Sequence, residues 1–234
     1  MAKVAMDCVK LALFDVILYL DDSGSMRFEE GGSRIDDLKL ILGRVAFATS
    51  LFDHDGISVR FMNSQERGDN ITNEQQAAQL LQRIQFSGLT PLGTSMDQKI
   101  LQPLVLQPAM QRQLRKPILI ITVTDGAPAG EQRLHIVNVI SNAVNQLRNT
   151  QYGPDALSFQ FAQVGNDMGA RDFLQELDAN PQIGSLIDCT SNYELEADQA
   201  RQTSGIDLSP ELWLVKLLLG PVDSSYDSKD ERRH

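Results

Sequence analysis

The chain has 234 residues, with 31 acidic against 21 basic side chains, a formal net charge of −10 and 42% hydrophobic residues. That length can bury a real core without disulfide staples, and the apolar share is that of a folded domain, not a disordered chain. The acidic balance, with no basic stripe, excludes a protein built to neutralise nucleic-acid phosphates.

Residues 1–13 read as an N-terminal extension. They carry Lys3, Asp7 and Lys10 and have no continuous apolar stretch followed by a small-residue cleavage site, so no secretory signal is read. The longest apolar run, Pro117–Val123, is far below the ~20 residues that span a bilayer. A cytoplasmic location is the expectation. The two cysteines, Cys8 and Cys189, are then expected as thiols. Without histidines at ligand spacing they make no zinc site.

Asp15–Leu20 is an apolar run that predicts a strand buried on both faces. Ser33 is placed to cap the next helix, with Asp36 three residues on, and Ile35, Leu38, Ile41, Leu42 and Val45 repeat at helical spacing. The turn Asp53-His54-Asp55-Gly56 ends that helix. It has the look of a calcium loop but lacks the later ligands of one. Ile57, Val59 and Phe61 alternate with Ser58, Arg60 and Met62, which predicts a strand. Gln65–Ile71 predicts a short edge strand. Thr72 is the expected cap of a helix carrying Ala77, Leu80, Leu81 and Ile84. The loop Gly88–Gly93 leads into a helix with Met96, Ile100, Leu101 and Leu104.

Pro117–Val123 predicts a central parallel strand, and Leu134, Val137, Ile140, Val144 and Leu147 a long helix. A strand follows at Leu157, Phe159 and Phe161, then a helix at Phe173, Leu174 and Leu177, then a short strand at Leu186-Ile187. Ser191–Ser209, acidic and polar, reads as a long loose connection. Ser209-Pro210-Glu211 opens a last helix that holds Trp213 in the core, and Gly220-Pro221 closes it. Residues 221–234 form a polar tail. The alternation of strands and helices predicts an α/β fold: a doubly wound, mostly parallel central sheet flanked by helices, with one short antiparallel edge strand.

Three segments carry oxygen ligands to one end of such a sheet. Asp21, Ser23 and Ser25 form an Asp-x-Ser-x-Ser pattern directly after the first strand. Thr90 lies within Gly88-Leu89-Thr90-Pro91-Leu92-Gly93, and Asp125 lies within Thr124-Asp125-Gly126 at the end of the central strand. In a doubly wound sheet the first and central strands are neighbours at the switch point, where ligands bind outside the carboxyl ends. Two carboxylates and three hydroxyls suit a hard cation, Mg²⁺ first, with Mn²⁺ or Ca²⁺ as alternatives. With so few acids the ion is barely neutralised and should draw an outside carboxylate.

These three motifs, in this order, resemble the metal-ion-dependent adhesion site (MIDAS) of the von Willebrand factor A (VWA) family, and the resemblance spans residues 14–220. It implies a Rossmann-like fold and, residue by residue, the metal ligands Asp21, Ser23, Ser25, Thr90 and Asp125. It further implies a stand-alone intracellular member, a protein-interaction module that binds a partner's Asp or Glu through the metal and is not an enzyme. VWA-type domains place their termini close together, so the resemblance also makes a Cys8–Cys189 bridge the alternative to two thiols. Asp22 is expected behind the ligands or facing solvent rather than among them. Phe28–Gly32 and Asn166-Asp167 are expected to line the partner surface. The competing function is a Mg²⁺-dependent hydrolase of phosphate esters. It lacks a recognisable base: there is no Gly-x-Ser-x-Gly elbow and no histidine in the three loops.

Overall fold

The computed structural model describes residues 9–51, 55–205 and 207–221. Six strands form one sheet: β1 (Asp15–Leu20), β2 (Ile57–Phe61), β3 (Arg67–Ile71), β4 (Ile118–Thr124), β5 (Leu157–Gln163) and β6 (Ile187–Thr190), in the order β3-β2-β1-β4-β5-β6. All neighbours are parallel except β2 and β3. This is the predicted α/β fold: a doubly wound, mostly parallel sheet with one antiparallel edge strand. Strands β1 and β4 run in register from Asp15 opposite Ile118 to Leu20 opposite Val123. Their carboxyl ends therefore finish side by side at the reversal of strand order.

The two faces of the sheet explain why β1 and β4 are mostly apolar. Val16, Leu18 and Leu20 point to one core, shared with α1 (Ser33–Ser50) and α2 (Glu74–Leu81). Ile17 and Tyr19 point to the other. There they meet Met96 of α3 (Leu92–Met96), Ile140 of α4 (His135–Arg148) and Phe173 of α5 (Met168–Asp178). Each fully buried side chain of this size contributes roughly 1.5–3 kcal/mol of transfer free energy, and most polar side chains on these faces are hydrogen-bonded, Thr122 Oγ1 of β4 being buried with no partner among the described residues. Strand β2 shows the same constraint. Arg60 is buried although the alternation assigns it outward, and its guanidinium bonds Val59 O, Gly68 O and Asp69 at the sheet edge.

Helix starts depart from the sequence reading in two places. Helix α1 is preceded by Gly32 at φ +92° with no side-chain cap, and Ser33 is its first helical residue, not the cap. Asn73, not Thr72, caps α2: its side chain accepts from Gln76 N, while Thr72 N donates to the Gln76 side chain. After α3 the chain winds on through a π-helical stretch, Asp97–Leu106, in which Gln107 N–H reaches back five residues to Gln102 O. Pro103 sits inside it and supplies no N–H, a common cause of such widening.

The stretch read as a loose connection holds α6 (Tyr193–Ser204), and α7 (Pro210–Leu219) follows, capped by Ser209 as expected. Helix α6 is polar, so apolar periodicity could not reveal it. It is held by polar anchors instead. Asn192 accepts from Leu195 N at 2.9 Å and donates to Gly165 O; Glu196 accepts from Ser191 N and pairs with Lys216 of α7. Trp213 is buried on α7 as expected, and its indole N–H donates to Ser191 O. Asn192→Ala is expected to cost about 1–2 kcal/mol through the lost cap and the orphaned Gly165 carbonyl. The check is a lower urea midpoint with an unchanged slope.

Cys189 lies half-buried on β6, its thiol donating to Leu174 O. Cys8, the turn at residues 53–54 and the tail beyond residue 221 lie outside the described residues. Among the described residues no helix is long and apolar enough to cross a membrane.

Candidate metal centre

Four of the five predicted ligands form one hydrogen-bonded cluster at the carboxyl ends of β1 and β4. Asp21 N continues the sheet by donating to Val123 O, so the Asp21 side chain sits beside the end of β4. Its Oδ2 accepts from Thr124 Oγ1 at 2.7 Å, and its Oδ1 accepts from Ser23 N at 2.9 Å. Ser25 Oγ donates to Asp125 Oδ1 at 3.0 Å. A hydroxyl has one proton, so the 3.0 Å contact between Ser23 Oγ and Ser25 Oγ is a bond from Ser23 to Ser25. Asp21, Ser23 and Asp125 are all buried.

The fifth residue, Thr90, is buried in the adjoining loop. Its carbonyl accepts from Ala129 N at 3.0 Å, which ties its loop to the one after β4. Gly24 N donates to Gly88 O at 3.2 Å, which ties it to the loop after β1. The Ser25–Asp125 bond joins the remaining pair. The three sequence-distant loops are thus cross-linked in all three combinations.

Asp21 has no cation paired to it among the described residues. Burial first, and then the negative charge of Asp125, push the Asp21 carboxyl from its ordinary 3.8 up to about 6, against the hydrogen bonds from Ser23 and Thr124. Two carboxylates and several hydroxyls, all oxygen, share one buried place. No group of three or more His, Cys, Asp or Glu side chains suited to a metal occurs among the described residues. With two carboxylates alone, a cation here would have to take hydroxyls and waters as its other ligands. The donor set fits a hard cation that keeps waters and takes hydroxyl ligands.

Apart from Asp22, the residues that hold these loops were invisible to sequence reasoning. Asp22, expected behind the ligands or facing solvent, is fully buried. Its Oδ1 accepts from Asn63 N at 2.7 Å and Asn63 Nδ2 at 3.2 Å, and its Oδ2 accepts from Ser64 N at 2.7 Å. Asn63 Nδ2 also reaches Leu89 O at 2.9 Å, next to Thr90. Lys99 complements Asp22: its ammonium donates to Phe61 O, Met62 O and Ser64 O, and burial pulls its pKa down. On the far side of Thr90, Glu131 accepts from Gly93 N at 2.7 Å and Thr94 N at 2.9 Å, capping α3. Burial keeps the phenol of Tyr19 protonated, and it donates to Leu92 O. Arg34 pairs with Asp125 Oδ2 at 2.7 Å. None of these partners follows from local spacing.

Of the residues expected on the partner surface, Phe28 is 75% exposed. Asn166 and Asp167 are exposed as well, and Asp167 caps α5 by accepting from Ala170 N at 2.7 Å. His135 is half-buried, with Cδ2 only 3.0 Å from where a Cβ on Gly93 would stand.

No family model matches the chain, and no curated protein matches it. Among solved structures it is similar to a von Willebrand factor type A protein from Catenulispora acidiphila, at 13% identity and a TM-score of 0.43. That alignment covers 81% of this chain and 41% of the other, so the chain spans less than half that protein's length. A likeness so distant carries no functional weight. The fold assignment rests on strand order and register.

Proposed function

We propose that this chain is a non-catalytic protein-interaction module of the VWA type, which holds Mg²⁺ at Asp21, Ser23, Ser25, Thr90 and Asp125 and recognises a partner's Asp or Glu. The observation that carries this reading is the convergence of Asp21, Ser23, Ser25 and Asp125 on one another, in loops cross-linked to the loop of Thr90. A hard cation bound there supplies an open coordination position to an outside carboxylate.

The protein's own residues do the rest. Thr124 and the Ser23 amide fix the two oxygens of Asp21, and the Ser23–Ser25–Asp125 chain orients the hydroxyls. Exposed apolar surface beside the site supports docking of a protein rather than a small anion. Phe28 and Leu89 are 75% and 59% exposed. Phe28 lies beside Gly24, whose absent Cβ would stand 3.9 Å from the Phe28 ring and 3.8 Å from the carbonyl oxygen of Gly88, the residue before Leu89.

Capture of a partner from lysate on the immobilised chain is expected in Mg²⁺ and lost in EDTA. Thr90→Ala should weaken capture with little change in melting temperature, because it removes one hydroxyl and leaves the Thr90 backbone bonds in place. Equal capture under all three conditions would place recognition on another face.

A further inference from the structure

The hydroxyls and Asp21 leave one feature of the cluster unused. Arg34, the second residue of α1, is 3% exposed, and its Nη1 lies 2.7 Å from Oδ2 of Asp125, whose side chain is fully buried. The other oxygen of Asp125 accepts the Ser25 hydroxyl. Asp125 therefore faces the proposed ligands with one oxygen and a buried guanidinium with the other. The pairing is strong because each charge is out of water, and removing Arg34 leaves the Asp125 carboxylate without its cation. The guanidinium cannot lose its proton to escape the conflict with a second cation.

Asp22 has its charge met by three N–H groups and Asp125 has its charge met by Arg34, whereas Asp21 is met by the Ser23 amide and by the hydroxyls of Ser23 and Thr124, with no cation paired to it among the described residues. We propose that Arg34 is a resident counter-cation of Asp125 that competes with the divalent ion and so holds the metal affinity of this site down. This inference rests on the metal-binding reading above. It adds that the affinity is set by a charge outside the ligand set. It also gives the chain a way to stay folded with both carboxylates charged and no metal bound, since Arg34 keeps the Asp125 carboxylate from being stranded.

The sign of one measurement decides between competition and support. A group that merely orients a metal ligand costs roughly 10- to 100-fold in metal affinity when removed. A competing cation does the opposite. The probe is Mn²⁺ alone, titrated by calorimetry and by its electron paramagnetic resonance signal into the metal-stripped full chain. Arg34→Gln is expected to bind Mn²⁺ at least about tenfold tighter than wild type, and Arg34→Lys, which keeps the charge, within about threefold of it. The metal-induced rise in melting temperature should also be larger in Arg34→Gln than in wild type, because metal then relieves a stranded Asp125.

Should Arg34→Gln be unfolded without metal, recovery of the folded circular-dichroism spectrum in Mn²⁺ supports the inference, and no recovery overturns it. Wild type that binds Mn²⁺ and a folded Arg34→Gln that binds it equally or more weakly overturn the competition alone. Failure of both proteins to bind Mn²⁺ overturns the metal site and this inference together.

Discussion

Asp21→Asn is expected to bind no Mg²⁺ or Mn²⁺ detectable by calorimetry and, in chelator, to melt higher than wild type. The two effects share one cause. Asp21 is a carboxylate fully removed from water and facing Asp125, and its pKa stands at about 6 instead of 3.8. Keeping it charged at neutral pH costs on the order of 2–3 kcal/mol. The amide removes that cost and keeps the shape. Thr124 Oγ1, which now donates to Asp21, can turn its proton to Gly126 O at 3.2 Å and accept from the amide.

The sign of the pH dependence follows. Above about pH 6 Asp21 is charged in the folded and unfolded chain alike, and the burial cost is felt in full. As the pH falls toward 3.8 the folded chain takes up the proton first, and the cost disappears. The stability gap between variant and wild type should therefore be widest near pH 7 and close by about pH 4. Thermal melts of both proteins across that range are the check. A variant no more stable than wild type at pH 7 would mean that Asp21 is not held under strain by its surroundings.

Asp22→Ala should do the reverse, although it is the adjacent residue and equally buried. We expect a loss of about 3–5 kcal/mol, read as a large drop in the urea midpoint, because a buried, fully bonded carboxylate is removed from its donors. Asn63 N, Asn63 Nδ2 and Ser64 N would all lose their acceptor, and Lys99 would be left near three carbonyls without the nearby negative charge. Since Asn63 also holds Leu89 O, the damage should reach the Thr90 loop. A loss below about 1 kcal/mol would show that water replaces Asp22 at no great cost. Neighbours in sequence thus carry opposite consequences, decided by what each carboxylate meets.

The order of elements and the sheet class were legible because strands covered on both faces are predominantly apolar. Asp15–Leu20 and Pro117–Val123 could hardly be anything but central strands, and their ends then fixed where Asp21 and Asp125 stand. The hydroxyl pattern was legible because it lies within five residues, Asp21 to Ser25, with Thr90 and Asp125 each inside a short Gly-bearing motif.

Helix α6 was not legible, because it is held by Asn192, Glu196 and Lys216 rather than by an apolar stripe. The caps of α1 and α2 were misplaced by one residue. Capping depends on the backbone angles of a single residue, and Gly32 takes a left-handed angle that no side-chain pattern announces.

The sequence by itself determined the α/β layering and which oxygens could gather at one edge, since both follow from hydrophobic runs and from short motifs at their ends. Only the tertiary structure decided what surrounds those oxygens. Asp22 is neutralised by the amides of Asn63 and Ser64, Asp125 by Arg34, and Asp21 by neither amide pair nor cation. The physical reason is range. Periodicity and turn chemistry act over a few residues, whereas Arg34 and Asp125 lie 91 positions apart and meet only once β1 and β4 are paired.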